Sequence, residues 1–224
     1  DTANFTLAQT QTSVNFTVID GLGGVMAGTT ASVSTASISA VGKTGYAGNN
    51  NVLFEARFKV NTVPSTFIIE AGLVDAAPAT GASFVTDIDT PSFVGTNGAV
   101  FGFWNNQTHT SIAFASVGSF TSQTVASTLI TAASATFTTP AANTYITARI
   151  LLLTAPGETG NSKMYGWVNG VLRARHEVTA GAVNGQTALY PWIYLQTVAA
   201  AVKIMTVDYV WLEQDRAALE AALE

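Results

Sequence analysis

One stretch constrains this chain more than any other: Met164-Tyr165-Gly166-Trp167-Val168-Asn169-Gly170-Val171-Leu172-Arg173-Ala174-Arg175. Asn-Gly is the preferred pair of a type I′ turn, because both central residues must take φ above zero. A two-residue turn at Asn169-Gly170 sets the register of the strands it joins. Val168 then faces Val171, Trp167 faces Leu172, and Tyr165 faces Ala174. This register predicts an apolar face of Tyr165, Trp167, Leu172 and Ala174, made to be covered. Met164, Gly166, Arg173 and Arg175 fall on the other face, which can meet solvent. The hairpin therefore calls for a sheet with one buried side.

Other stretches repeat the pattern. From Val52 to Val60 the residues alternate, with Val52, Phe54, Ala56, Phe58 and Val60 on one face and Glu55, Arg57 and Lys59 on the other. Phe67 to Val74 is an almost continuous apolar strand interrupted by Glu70, and Ala99 to Trp104 reads as a buried strand. Tyr145 to Leu153, Tyr190 to Thr197 and Val202 to Glu213 follow; in the last, Met205, Val207, Tyr209 and Trp211 are expected to share one face. Residues 75–98 read as a long loop, and residues 105–142 as a Ser/Thr/Ala-rich segment with short β-type alternations. Only residues 215–224 have a helical pattern, with Asp215 as cap and Leu219 and Leu223 on one side. Strand after strand with hardly a helix predicts an all-β sandwich. Its expected divisions are an N-terminal arm or edge strands over 1–30, the sandwich over 31–214, and a short helical tail over 215–224.

A length of 224 residues suits one large β domain. Charged residues make up only 10%, against about a quarter in ordinary domains. The Thr, Ser, Ala, Asn and Gly that replace them form a weakly repelling surface suited to contact with other protein. A net charge of −5 argues against nucleic acid, which needs basic clusters. The absence of cysteine excludes disulfides and thiolate metal sites. No run reaches the roughly 18 apolar residues of a membrane span. No basic segment leads into an apolar one, so no signal peptide is expected in this sequence. Because initiator Met is not normally removed before Asp, a chain opening on Asp1 is expected to start at a cleavage or trimming point.

The strand order resembles the concanavalin A-like jelly roll. The likeness is carried by Phe54-Glu55-Ala56-Arg57-Phe58, by Gly72-Leu73-Val74-Asp75, by Tyr145 to Ile150, by the Tyr-x-Trp-Val-Asn-Gly hairpin and by the closing Val207-Asp208-Tyr209-Val210. Ending in Asp-Tyr-Val-Trp-Leu-Glu-Gln-Asp-Arg, it is similar to structural proteins of tailed-bacteriophage virions, over roughly residues 50–216. That resemblance implies a virion component: a head decoration, fibre or tail-associated protein acting through assembly with other virion proteins.

The same jelly roll includes glucanases, whose chemistry needs two carboxyl groups about 5–5.5 Å apart. The Glu-x-Asp-x-x-Glu pattern that supplies them is missing here: Glu55 is followed by Arg57 and Glu70 by Gly72. Glu55, Arg57 and Glu70 are expected to form rim ion pairs, and the chain is read as not an enzyme. Asp75, Asp87 and Asp89 are the candidate ligands of a Ca²⁺ ion, which takes several carboxylate and carbonyl oxygens. Without the twelve-residue Gly-centred pattern, the default is that they bond turn backbone and no cofactor is held. His109 and His176 lack a partner at metal spacing, and no Gly-x-Ser-x-Gly or Cys supports nucleophilic catalysis. Asn4, Asn15 and Asn106 stand in Asn-x-Thr sequons, frequent in so Thr-rich a chain.

Trp104, Trp167, Trp192 and Trp211 lie in strands, where core packing is the default. Trp104 borders Asn105, Asn106 and His109, a mixture of aromatic and amide side chains of the kind that binds sugars. Two functions follow. The first is a virion structural protein, a homo-oligomer that the resemblance makes a trimer. The alternative is a carbohydrate-binding, lectin-like module with a glycan as partner.

Overall fold

The alternation of Val52 to Val60 is that of a strand with one wet face, and it lies at the centre of a seven-stranded sheet. The computed structural model describes residues 4–20, 25–47, 51–62, 67–87, 92–104, 113–120, 123–125, 141–153, 162–178 and 188–214. In chain order the strands are β1 (Phe5–Gln9), β2 (Val14–Asp20), β3 (Val25–Thr29), β4 (Ser37–Gly42), β5 (Tyr46–Ala47) and β6 (Val52–Val60). Next come β7 (Phe67–Val74), β8 (Val85–Asp87), β9 (Ser92–Phe93), β10 (Gly98–Trp104), β11 (Ala113–Phe120) and β12 (Gln123–Val125). The last five are β13 (Ile146–Leu153), β14 (Ser162–Val168), β15 (Val171–Val178), β16 (Ala188–Thr197) and β17 (Ile204–Gln214).

Two large antiparallel sheets result. The first runs β1-β4-β16-β7-β10-β11-β12 with β5 beside β16; the second runs β15-β14-β13-β6-β17-β3-β2. A small β8–β9 pair stands apart. Phe54, Phe58, Ile150 and Met205 of the second sheet meet Ile38, Phe67, Phe101 and Ile193 of the first in one shared core. The N-terminal strands serve both sheets: β1 is an edge of the first and β2 of the second, and Phe16 on β2 is 1% exposed. Residues 215–224, read as a helix, lie outside the described residues.

Bulges in β15 and β17 break the simple alternation of the second sheet's outer face. In β15 the pairing slips after Trp167↔Leu172, so that Gly166 faces Ala174 and Tyr165 faces Arg175. In β17 it slips between Val207 and Tyr209, leaving Asp208 as the extra residue. Each bulge turns the following side chains over. Met164, Gly166, Val168 and Ala174 are buried, whereas Leu172 is 49% exposed. Of the four residues expected to be covered, Ala174 is buried while Tyr165, Trp167 and Leu172 lie on the outer face, and the pairing expected for Tyr165 is replaced by Arg175. In β17, Met205 and Val207 enter the core while Tyr209 and Trp211 point out; Val210 and Leu212 take the inward side. The single face expected for Met205, Val207, Tyr209 and Trp211 is broken at Asp208. The turn itself is as expected, with φ of 50° at Asn169 and 77° at Gly170.

Candidate functional site

The bulges assemble an aromatic and ionic surface on the outer face of the second sheet. Register places Trp167 (β14) beside Arg149 (β13), Arg149 beside Glu55 (β6), and Glu55 beside Trp211 (β17). Four neighbouring strands at the usual separation put the two tryptophans about 14 Å apart, wider than one sugar ring. Trp211 is 58% exposed and Tyr209 37%. Tyr165 and Trp167 are half-buried and stack at 5.9 Å with 28° between their planes. Core packing was expected of all four tryptophans; Trp104 and Trp192 are buried, whereas Trp167 and Trp211 lie on this outer face.

The middle of the row is polar and braced. Arg149 donates Nε–H to Glu55 Oε2 at 2.5 Å, and the Tyr209 hydroxyl donates to Glu55 Oε1 at 2.5 Å. Burial, reinforced by the adjoining Glu55 carboxylate, raises the Tyr209 hydroxyl above its ordinary pKa, so it remains a donor. Arg57 pairs with Asp208, the bulge residue. Arg57 and Lys59 both lie over the Tyr145 ring, at 4.3 and 4.8 Å from its centroid. Ion pairs are thus formed by Glu55 and Arg57, but the expected pairing of this strand with Glu70 is absent because β6 and β7 lie in different sheets.

Glu70 has another role. It is fully buried on β7 and accepts four bonds: from Trp104 Nε1 at 2.9 Å, Trp192 Nε1 at 2.8 Å, and the backbone N–H groups of Phe84 at 2.7 Å and Val85 at 2.9 Å. The carboxylate thereby ties residues 84–85 over the outer face of the first sheet, where Phe84, Val85 and Phe93 pack on Val100, Trp104, Trp192 and Tyr194. Burial and the Glu70 charge push the Tyr194 hydroxyl upward, and it donates to the carbonyl of Gly81 at 2.9 Å. The outer face of the first sheet is covered here by the protein's own chain.

The candidates named from sequence fall around this cover. Trp104 is 1% exposed, its ring closed off and its N–H used by Glu70, which corrects its reading as a ligand-facing side chain. Asn105, Asn106 and His109 lie outside the described residues. Asp75 Oδ2 accepts from Thr96 N and Oγ1 at 3.1 and 2.7 Å and from Asn97 N and Nδ2 at 2.8 and 3.2 Å. That is a carboxylate closing a turn. A Cβ at Gly95 would stand 2.1 Å from Asp75 Oδ1, so the approach requires glycine. Asp87 ends β8, opposite Ser92, and Asp89 lies outside the described residues. Among the described residues no group of three or more His, Asp or Glu is placed to hold a metal ion.

No family model and no curated protein matches the sequence. The fold does have solved counterparts. The Emp46p carbohydrate recognition domain superposes with a TM-score of 0.61 at 10% identity, covering 96% of this chain and 89% of that one. The carbohydrate recognition domain of Emp47p gives 0.59 at 10% identity, with 95% and 89% covered. An endo-β-1,4-glucuronan lyase from Trichoderma reesei gives 0.55 at 11% identity, with 95% and 88% covered. The Emp46p domain has both a metal-free and a potassium-bound form.

These counterparts recognise or cleave carbohydrate, and they lend no support to the expected virion role. The lyase also corrects the reading of the chain as no enzyme, since a polysaccharide-cleaving protein shares the fold. A lyase opens the glycosidic bond by elimination, so the missing pair of hydrolytic carboxylates has no force against it. At 11% identity that likeness extends to the fold and no further. The two antiparallel sheets and their order give this chain the concanavalin A-like β-sandwich fold of these counterparts.

Proposed function

We propose that this protein is a carbohydrate-binding module that receives its ligand on the outer face of the second sheet. One observation carries the reading: two tryptophans on an open sheet face flank a braced row of hydrogen-bonding side chains, Trp167–Arg149–Glu55–Trp211. The apolar faces of sugar rings stack on aromatic rings, and their hydroxyls need charged or amide partners beside the stack. Both requirements are met within one row. A protein-docking patch is depleted of charge at its centre, whereas here the centre is an Arg–Glu pair whose Arg side chain is 51% exposed. The carbohydrate-recognising counterparts of the fold support the same class of ligand.

The test is titration of the full chain against oligosaccharides of several lengths. Trp211→Ala is expected to weaken binding by at least tenfold, about 1.4 kcal/mol, with an unchanged melting temperature because the ring is exposed. Unaltered affinity in Trp211→Ala and Trp167→Ala alike would remove the basis of the proposal.

A further inference from the structure

The distribution of cations points to the charge of the ligand, an inference that rests on the binding reading above. The chain has nine Lys and Arg against fourteen Asp and Glu. Six of the nine, Arg57, Lys59, Arg149, Lys163, Arg173 and Arg175, stand on the four consecutive strands β6, β13, β14 and β15. Those strands carry only two acids, Glu55 and Glu177. Adding β17, which ends the aromatic row and brings Asp208 and Glu213 but no cation, the five strands still hold an excess of two positive charges in a chain of net −5. The strands are the ones that hold Tyr165, Trp167 and the Arg149–Glu55 pair. A neutral ligand would give no reason to gather most of the cations beside the aromatic row.

We infer that the ligand is an anionic glycan, whose carboxylate or sulfate groups are met by the cations around Tyr145 and whose rings stack on the tryptophans. Arg57 and Lys59 share the Tyr145 ring, with Asp208 bonded to Arg57. Two cations set against one carboxylate leave a local positive charge held in a fixed place. The Arg57–Asp208 pair has side chains 42% and 24% exposed. Exposed pairs of this kind contribute little, so a ligand anion can take over the guanidinium at small cost. Arg149 uses its Nε–H on Glu55 while its side chain stays half in solvent, which orients the guanidinium without withdrawing it. Guanidinium matches planar carboxylate and sulfate oxygens in two-point contact, and clustered charge also speeds encounter.

The experiment compares the full chain binding to polyuronate oligosaccharides, sulfated oligosaccharides and neutral β-glucan oligosaccharides of one length, at low and high ionic strength. Expected is a preference of at least about tenfold for the anionic glycans, shrinking as salt screens the contacts. Lys59→Gln should erode that preference severalfold. Lys43→Gln, an exposed charge next to the first sheet, should not alter it. Equal affinity for neutral and anionic oligosaccharides would overturn this inference and leave the glycan-binding reading standing. No binding to any of them would overturn both. Polyglutamate or duplex DNA bound as tightly as the anionic glycans would also overturn it, reducing the cations to a general attraction for polyanions. Preference for uronate over sulfate, or the reverse, would identify which anion the site takes.

Discussion

Glu70 interrupts a strand of eight buried residues, and four N–H groups converge on its carboxyl there. Replacing it with Gln puts an amide N–H₂ where an acceptor stood and leaves up to two buried donors without a partner. Glu70→Gln is expected to lower stability by about 2–4 kcal/mol, the cost of unsatisfied buried donors, as read by denaturant unfolding. The same residue sets a pH dependence. Burial outweighs the four donors and raises the Glu70 carboxyl above its ordinary value. The folded chain then binds the proton more tightly than the unfolded chain does. Its contribution to stability is greatest below the ordinary carboxylate range and declines as pH rises through the raised folded value. Unfolding measured from mildly acid to mildly alkaline buffer should show this decline in the parent and lack it in Glu70→Gln; a parent that gains relative to the variant as pH rises would reverse the sign. A charge inside the apolar run Phe67 to Val74 was visible in the sequence, but its partners are 14 to 122 positions away, so only the sheet order could supply them.

At the scale of the element, the Asn169-Gly170 hairpin was legible because a type I′ turn is a local requirement of backbone geometry. A Cβ at Gly170 would meet nothing within 4 Å, so the whole cost of substitution there is the left-handed φ of 77°. Gly170→Val should therefore destabilise by about 1–2 kcal/mol, measured as a fall in melting temperature, and a neutral result would mean the turn relaxes freely. The faces of the hairpin were not legible, since a bulge shifts alternation by one residue and leaves no mark in an apolar pattern that suits either face. Tyr209-Val210-Trp211-Leu212 is the clearest case: both parities are apolar. Deleting Asp208 removes the extra residue and leaves Val207 inward and Tyr209 outward by plain alternation. That deletion variant is expected to fold with Trp211 still quenched by acrylamide, and a buried Trp211 in it would show that the bulge does not set the phase.

In the whole molecule, strands far apart in the sequence lie side by side. β17 lies between β6 and β3, bonded to residues about 150 and 180 positions earlier, and it carries Met205 and Val207 into the shared core. A chain ending at Lys203 would lose an interior strand and expose the flanks of two others. It is expected to show no cooperative thermal transition, and a sharp one would mean that the sheet closes without β17. Such long-range pairing also makes folding slow compared with a helical protein of this size, because the loop must close before the contacts form.

Alternation, turn chemistry and the near absence of helical periodicity determined from sequence that this would be an all-β sandwich, since each depends on neighbours a few residues apart. Charge count and composition were equally plain. What only the tertiary structure decided was which tryptophans face solvent, which carboxylates have partners, and where the cations gather. Those depend on two single-residue bulges and on the order in which distant strands lie side by side, and neither leaves a periodic trace in the chain.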